Sequence, residues 1–148
     1  MNVPALKARL KRANLILGNV SDTVSDFLKG YNPAPIGAVS QDLDFYSSTV
    51  MALKLFDADK SHFLPRVFCY FDDTIGGETE LYGDFTGERL AINEFNDSHT
   101  NVKLTPIYYL RASPTAPIWH HQMWSLHYFD HVDYNKFVSE SNQQIPID

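Results

Sequence analysis

Apolar positions along the chain follow two rhythms, and the switching between them predicts alternating helices and strands. Pro4 to Ala13 reads as a helix, with Leu6 and Leu10 on one face and Lys7, Arg9, Lys11 and Arg12 mostly around the other. Leu15-Ile16-Leu17 follows as a short buried strand ending at Gly18-Asn19. Ser21 is placed to cap a second helix, in which Val24, Phe27 and Leu28 stand at i, i+3 and i+4. Gly30, Pro33 and Pro35 stop it. Ile36 to Ser40 then reads as a strand, Asp42/Asp44 as a turn, and Tyr46 to Phe56 as a helix with Tyr46, Val50 and Leu53 aligned. A strand from Val67 to Phe71 leads into Asp72-Asp73 and a loop with Gly76 and Gly77. The next helix, Glu88 to Asn96, turns Ala91 and Phe95 inward.

Strand and helix alternating at this spacing predict an α/β fold, a Rossmann-like parallel sheet with right-handed crossovers. The last third changes character. Pro106 to Leu110 and Ile118 to Phe129 are rich in aromatic and β-branched residues, with Pro114 and Pro117 between them. They read as a closing antiparallel pair, because the link is too short for a helical crossover. The tail after Lys136 is polar and is expected to fray.

With 148 residues and no repeat or linker, a single domain over 1–148 is expected. Hydrophobic residues make up 44% and charged residues 20% of the chain, the balance of a globular protein. No apolar run approaches the roughly 20 residues a membrane span needs. A net charge of −6 argues against a nucleic-acid partner, and the basic N-terminal helix reads as a solvated face. One cysteine, Cys69, excludes an internal disulfide and fits a reducing, cytoplasmic compartment. Its place inside an apolar run marks it as packing rather than a nucleophile.

The candidate chemistry lies in two acidic clusters, each directly after an apolar run. Asp42 and Asp44 follow Pro35 to Val39, and Asp72 and Asp73 follow Val67 to Phe71. Ligands of a parallel sheet collect at the carboxyl ends of its strands. Two neighbouring strands ending in carboxylates would gather oxygen ligands for a hard cation such as Mg²⁺. Turn or helix capping explains one such Asp well and four poorly. His120, His121, His127 and His131 also crowd together. Their stretch reads as a strand, in which i, i+4 spacing makes no clamp, so packing histidines are expected rather than a zinc site. Arg89 and Arg111 carry no signal above that of a surface charge.

Four blocks together resemble one family. Leu17-Gly18-Asn19-Val20 with Thr23, Asp42-Leu43-Asp44-Phe45-Tyr46-Ser47-Ser48-Thr49, Phe71-Asp72-Asp73 and Ala91-Ile92-Asn93-Glu94-Phe95 are similar to the macrocin O-methyltransferase type of S-adenosylmethionine-dependent methyltransferase. The resemblance covers roughly residues 14 to 96. It implies a Mg²⁺ site of Asp42, Asp72 and Asp73, with Asp42 also as general base, and Asn19 beside the adenine of S-adenosylmethionine. Asp44 is expected to orient its turn. The implied substrate is a small molecule carrying a hydroxyl, on a sugar or glycosylated metabolite. The family's Gly-x-Gly loop after its first strand and the ribose-binding acid after its second have no counterpart here. The chain therefore looks like the C-terminal half of such an enzyme, with the N-terminal strands of the full fold missing. It is expected to be inactive and a poor cofactor binder alone, and to work as a homo-oligomer or beside a complementing N-terminal half.

Two alternatives stay open. One is a non-catalytic relic or interaction module of the same fold. The other is a metal-dependent phosphatase using Asp42 as nucleophile and Asp44 as the following acid, although such enzymes carry Thr or Val where this chain has Tyr46. An Asp-x-Asp also serves many nucleotide-sugar glycosyltransferases, which leaves Asp72-Asp73 unexplained.

Overall fold

The computed structural model describes residues 2–31, 33–77 and 82–136. Four strands form one open mixed sheet in the order β1-β2-β4-β3, where β1 is Ile36–Gln41, β2 Phe63–Phe71, β3 Val102–Pro106 and β4 Met123–Tyr128. β1 and β2 run parallel, with Gln41 opposite Phe71. β4 is antiparallel to both β2 and β3, with Cys69 opposite Trp124 and Leu104 opposite Leu126. The α/β class and the closing antiparallel pair agree with the sequence reading. The expectation of a parallel sheet is corrected to a mostly antiparallel one with a single parallel pair.

The helices are α1 (Val3–Arg9), α2 (Val20–Tyr31), α3 (Tyr46–Leu53), α4 (Gly87–Ser98) and the single turn α5 (Tyr108–Arg111). None among the described residues is long and apolar enough to cross a membrane. Leu53 of α3, Phe56 just beyond it, and Ala91, Ile92 and Phe95 of α4 share one buried cluster with Val67, Cys69, Phe71, Leu104, Trp124, Leu126 and Tyr128 of the sheet. These are alternate strand residues, so α3 and α4 cover one sheet face. On the other face Leu64 and Phe68 are 47% and 61% exposed. Burial pushes the Cys69 thiol up to about 12, which agrees with a packing role. Asn96 clasps α4 to β3 through both its amide atoms, to Leu104 N at 2.7 Å and Leu104 O at 2.8 Å.

Several boundaries differ from expectation for local reasons. Leu15-Ile16-Leu17 forms no strand; Ile16 and Leu17 are largely exposed, and Gly18, at φ +153°, leads the chain straight into α2. Asn19, not Ser21, caps α2: its Oδ1 accepts the Ser21 N–H at 3.1 Å. α1 stops at Arg9 and is opened by Asn2, whose side chain accepts from Ala5 N. α3 tightens into a 3₁₀ turn over Lys54–Asp57. β2 starts four residues earlier than expected, at Phe63. The strand expected at Pro106 to Leu110 lies at Val102–Pro106 instead, and Ile118–His120 is a 3₁₀ turn before β4. The tail beyond Lys136, expected to fray, lies outside the described residues.

Candidate metal centre

The parallel pair brings two loops side by side. β1 ends at Gln41, and residues 42–44 continue without regular structure into α3. β2 ends at Phe71, and Asp72–Thr74 tightens at once into a 3₁₀ turn, with the Thr74 hydroxyl on Phe71 O at 3.0 Å. One carboxylate oxygen each from Asp42, Asp44 and Asp73 then lies within 4.8 Å of the others. Asp42 and Asp44 are exposed, and Asp73 is half-buried. This is the group with cation-holding geometry among the described residues; no histidines assemble one.

The structure thus brings Asp42 and Asp73 together, as the sequence reading expected, and adds Asp44. The sequence reading expects Asp44 only to orient its turn. Asp72 lies outside the triad. Its Oδ1 accepts the Tyr70 hydroxyl and sits 3.2 Å from Gln122 Nε2, which donates to the Asp72 carbonyl at 2.5 Å. The bond to Asp72 and burial push the Tyr70 phenol up to about 12. Asp72 therefore ties the end of β2 to the start of β4. The spacing could have pointed to Asp44, since residues i and i+2 of an extended chain face the same side.

Asp73 is the most constrained member of the triad. Its carboxyl is raised above the usual Asp range, first by burial and then by the charges of Asp44, Asp72 and Asp42, against a lowering hydrogen bond from the Leu43 backbone. Repulsion of this kind is what a dication in the middle would relieve. Behind it stands Glu88, fully buried in the first turn of α4, whose Oε2 accepts the Asp73 N–H at 2.8 Å. Burial, countered by that hydrogen bond, pushes the Glu88 carboxyl up to about 8. Nothing in the sequence singled out Glu88: a lone Glu after a glycine reads as an ordinary first-turn residue.

Asn19 is engaged in opening α2. Its amide oxygen is committed to the Ser21 N–H and, at 3.0 Å, to the Ser21 hydroxyl, and its carbonyl accepts from Asp22 and Thr23. Three of the four clustered histidines are likewise engaged within the fold. His120 Nδ1 lies 2.9 Å from Leu110 O, His127 Nδ1 lies 2.7 Å from the Tyr134 hydroxyl, and His131 Nδ1 accepts the Asp133 N–H. Arg111 donates to His121 O at 2.6 Å, and Arg89 pairs with Asp84. Compared with known proteins, the chain matches no family model, no curated protein and no solved structure.

Proposed function

We propose that this chain carries the cation-binding, hydroxyl-activating half of a divalent-metal-dependent O-methyltransferase on a Rossmann-like sheet. Its substrate is a hydroxyl of a sugar or glycosylated metabolite. The observation that carries the reading is the convergence of Asp42, Asp44 and Asp73 at the carboxyl ends of adjacent parallel strands, where α/β sheets bind ligands. The resemblance of residues 14 to 96 supplies the reaction type. The single, buried Cys69 supports a cytoplasmic setting.

Three carboxylates and no nitrogen or sulfur donor suit a hard cation of the Mg²⁺ or Mn²⁺ kind. Bound there, Mg²⁺ would supply Lewis acidity that lowers the pKa of a substrate hydroxyl. Asp73, whose carboxylate accepts from the Leu43 backbone and whose own N–H donates to Glu88 Oε2, fixes the position of the charge. Asp42 is exposed at the rim, where a carboxylate can accept the hydroxyl proton. S-adenosylmethionine is the methyl donor that the resemblance implies, but the residues present do not fit it: with its amide oxygen on Ser21, Asn19 has only its amide nitrogen to offer the adenine. The Gly-x-Gly cofactor loop that the resemblance calls for has no counterpart among these residues.

Calorimetric titration with Mg²⁺ and Mn²⁺, comparing wild type with Asp42→Asn/Asp73→Asn, tests the site; heats present in the first and absent in the second are expected. Methyl transfer from S-adenosylmethionine to a panel of sugars, with and without chelator, tests the reaction. A chain that binds the cation but transfers no methyl group, alone or with a complementing half, keeps the site and loses the methyltransferase reading.

One observation favours a second reading. Asp44 joins Asp42 in the triad, and a phosphatase would use this pair as nucleophile and following acid. Mg²⁺-dependent hydrolysis of p-nitrophenyl phosphate that disappears in Asp42→Asn would select it.

A further inference from the structure

Five buried side-chain polar atoms among the described residues have no hydrogen-bond partner, and three of them are acceptor oxygens at the end of the parallel pair. They are Gln41 Oε1, Asp73 Oδ2 and Glu88 Oε1. Gln41 is 6% exposed and pairs with Phe71, so it ends β1 on the helix-covered face, directly before Asp42. Glu88 is 0% exposed and reaches the cluster from the first turn of α4, with its other oxygen on the Asp73 N–H at 2.8 Å. Buried acceptors left without donors are costly, and natural proteins seldom tolerate several in one place. Without an ion the chain has at most one proton to offer these oxygens, that of a neutral Glu88, and beside Asp42 and Asp44 the remaining acceptors call for donors from outside the chain.

A hydrated cation supplies them. Mg²⁺ gives up its water reluctantly and usually keeps several molecules, each with protons to donate. Groups that accept from such waters orient the ion almost as firmly as its direct ligands. Glu88 lies outside the group whose oxygens converge, so its part is to act through water and through Asp73 rather than to touch the ion.

We propose that Glu88 is the positioning residue of the cation site: Oε2 fixes the Asp72-Asp73 turn through the Asp73 N–H, and Oε1 accepts a hydrogen bond from water on the ion. This rests on the cation reading above and deepens it. Glu88→Gln separates the two tasks. In the ion-bound state, where Oε1 has to accept, it keeps an amide oxygen for the Asp73 N–H but fixes a donor at the second position.

Mn²⁺ is the probe, with free ion counted by electron paramagnetic resonance and thermal unfolding recorded on the same samples. The expected result is a Glu88→Gln chain that melts no lower than wild type in chelator, yet binds Mn²⁺ about 10–100-fold more weakly. Wild-type affinity in a folded Glu88→Gln chain overturns the proposal. If Asp42→Asn and Asp73→Asn abolish binding in that same series, the cation reading survives its loss. Absence of Mn²⁺ binding by wild type overturns both. Should Glu88→Gln fail to fold, Gln41→Leu decides. It removes another orphan acceptor without touching the Asp73 N–H; about a tenfold loss supports a water-mediated shell, and unchanged affinity counts against it.

Discussion

The buried carboxylate of Glu88 accepts the backbone N–H of Asp73 across 2.8 Å, joining the start of α4 to the acidic turn after β2. A charge-capable group so enclosed makes stability depend on pH. The Glu88 pKa rises from an ordinary 4.5 to about 8, so the folded chain holds this proton more tightly than the unfolded one. Its contribution is therefore fully present below about 4.5 and is lost as pH climbs toward 8. Asp73 is raised too and acts in the same direction. His127, lowered first by burial and then by the charge of Arg66, opposes them by losing stability as pH falls through its range. In metal-free buffer, the melting temperature of Glu88→Gln minus that of wild type should grow from pH 5 to pH 8. A constant difference would show that Glu88 ionises as freely in the fold as outside it.

Asp44 and Asp72 should exchange the importance that their positions in the sequence suggest. Asp44 belongs to the converging triad, whereas Asp72 is engaged by Tyr70 and Gln122. Asp44→Asn should weaken Mn²⁺ binding by at least about tenfold, near 1.4 kcal/mol. Asp72→Asn should instead lower the melting temperature and leave most of the affinity. Titration and thermal melts of the two variants side by side would show whether the order is reversed.

Gly87 opens α4 at φ +54°, with nothing within 4 Å of the place a Cβ would take. Gly87→Ala therefore meets no clash, only the cost of a left-handed backbone, roughly 1–2 kcal/mol. Chemical denaturation should register that loss. A neutral result would mean that the first turn of α4 can rotate, and with it Glu88.

Tyr128 is buried at the end of β4, stacks on Phe63 with ring centroids 5.0 Å apart, and donates to Phe56 O at 3.1 Å. Tyr128→Phe keeps the stacking and removes one hydrogen bond, so a loss of roughly 0.5–1.5 kcal/mol is expected on denaturation. Tyr128→Ala would also open a cavity and should cost about 3–5 kcal/mol.

Most elements were legible in the sequence because their hydrophobic rhythm is also their packing rhythm. Phe63, Val67, Cys69 and Phe71 alternate inward along β2, and Ala91 and Phe95 line the inner face of α4. Leu15-Ile16-Leu17 misled, because a short apolar run looks the same whether or not a neighbouring strand exists to pair with it. Pro106 misled at the other end: without an N–H it closes β3 rather than opening a strand. In the site, Asp42 and Asp73 stood out as acids at strand ends. Glu88 was invisible, since only the docking of α4 against the Asp72–Thr74 turn gives it a partner.

The apolar residues exposed on the second sheet face have a consequence for how the protein behaves in bulk. Leu64 and Phe68 leave aromatic and aliphatic area in water on a hydrogen-bonded strand pair. At low salt, the net charge of −6 keeps two such faces apart. Screening shortens that repulsion to about 8–10 Å near physiological ionic strength, while the attraction between apolar faces, being entropic near room temperature, strengthens on warming. Light scattering should therefore rise with salt and heat together, well below the melting transition, and a charged residue at position 68 should abolish the rise.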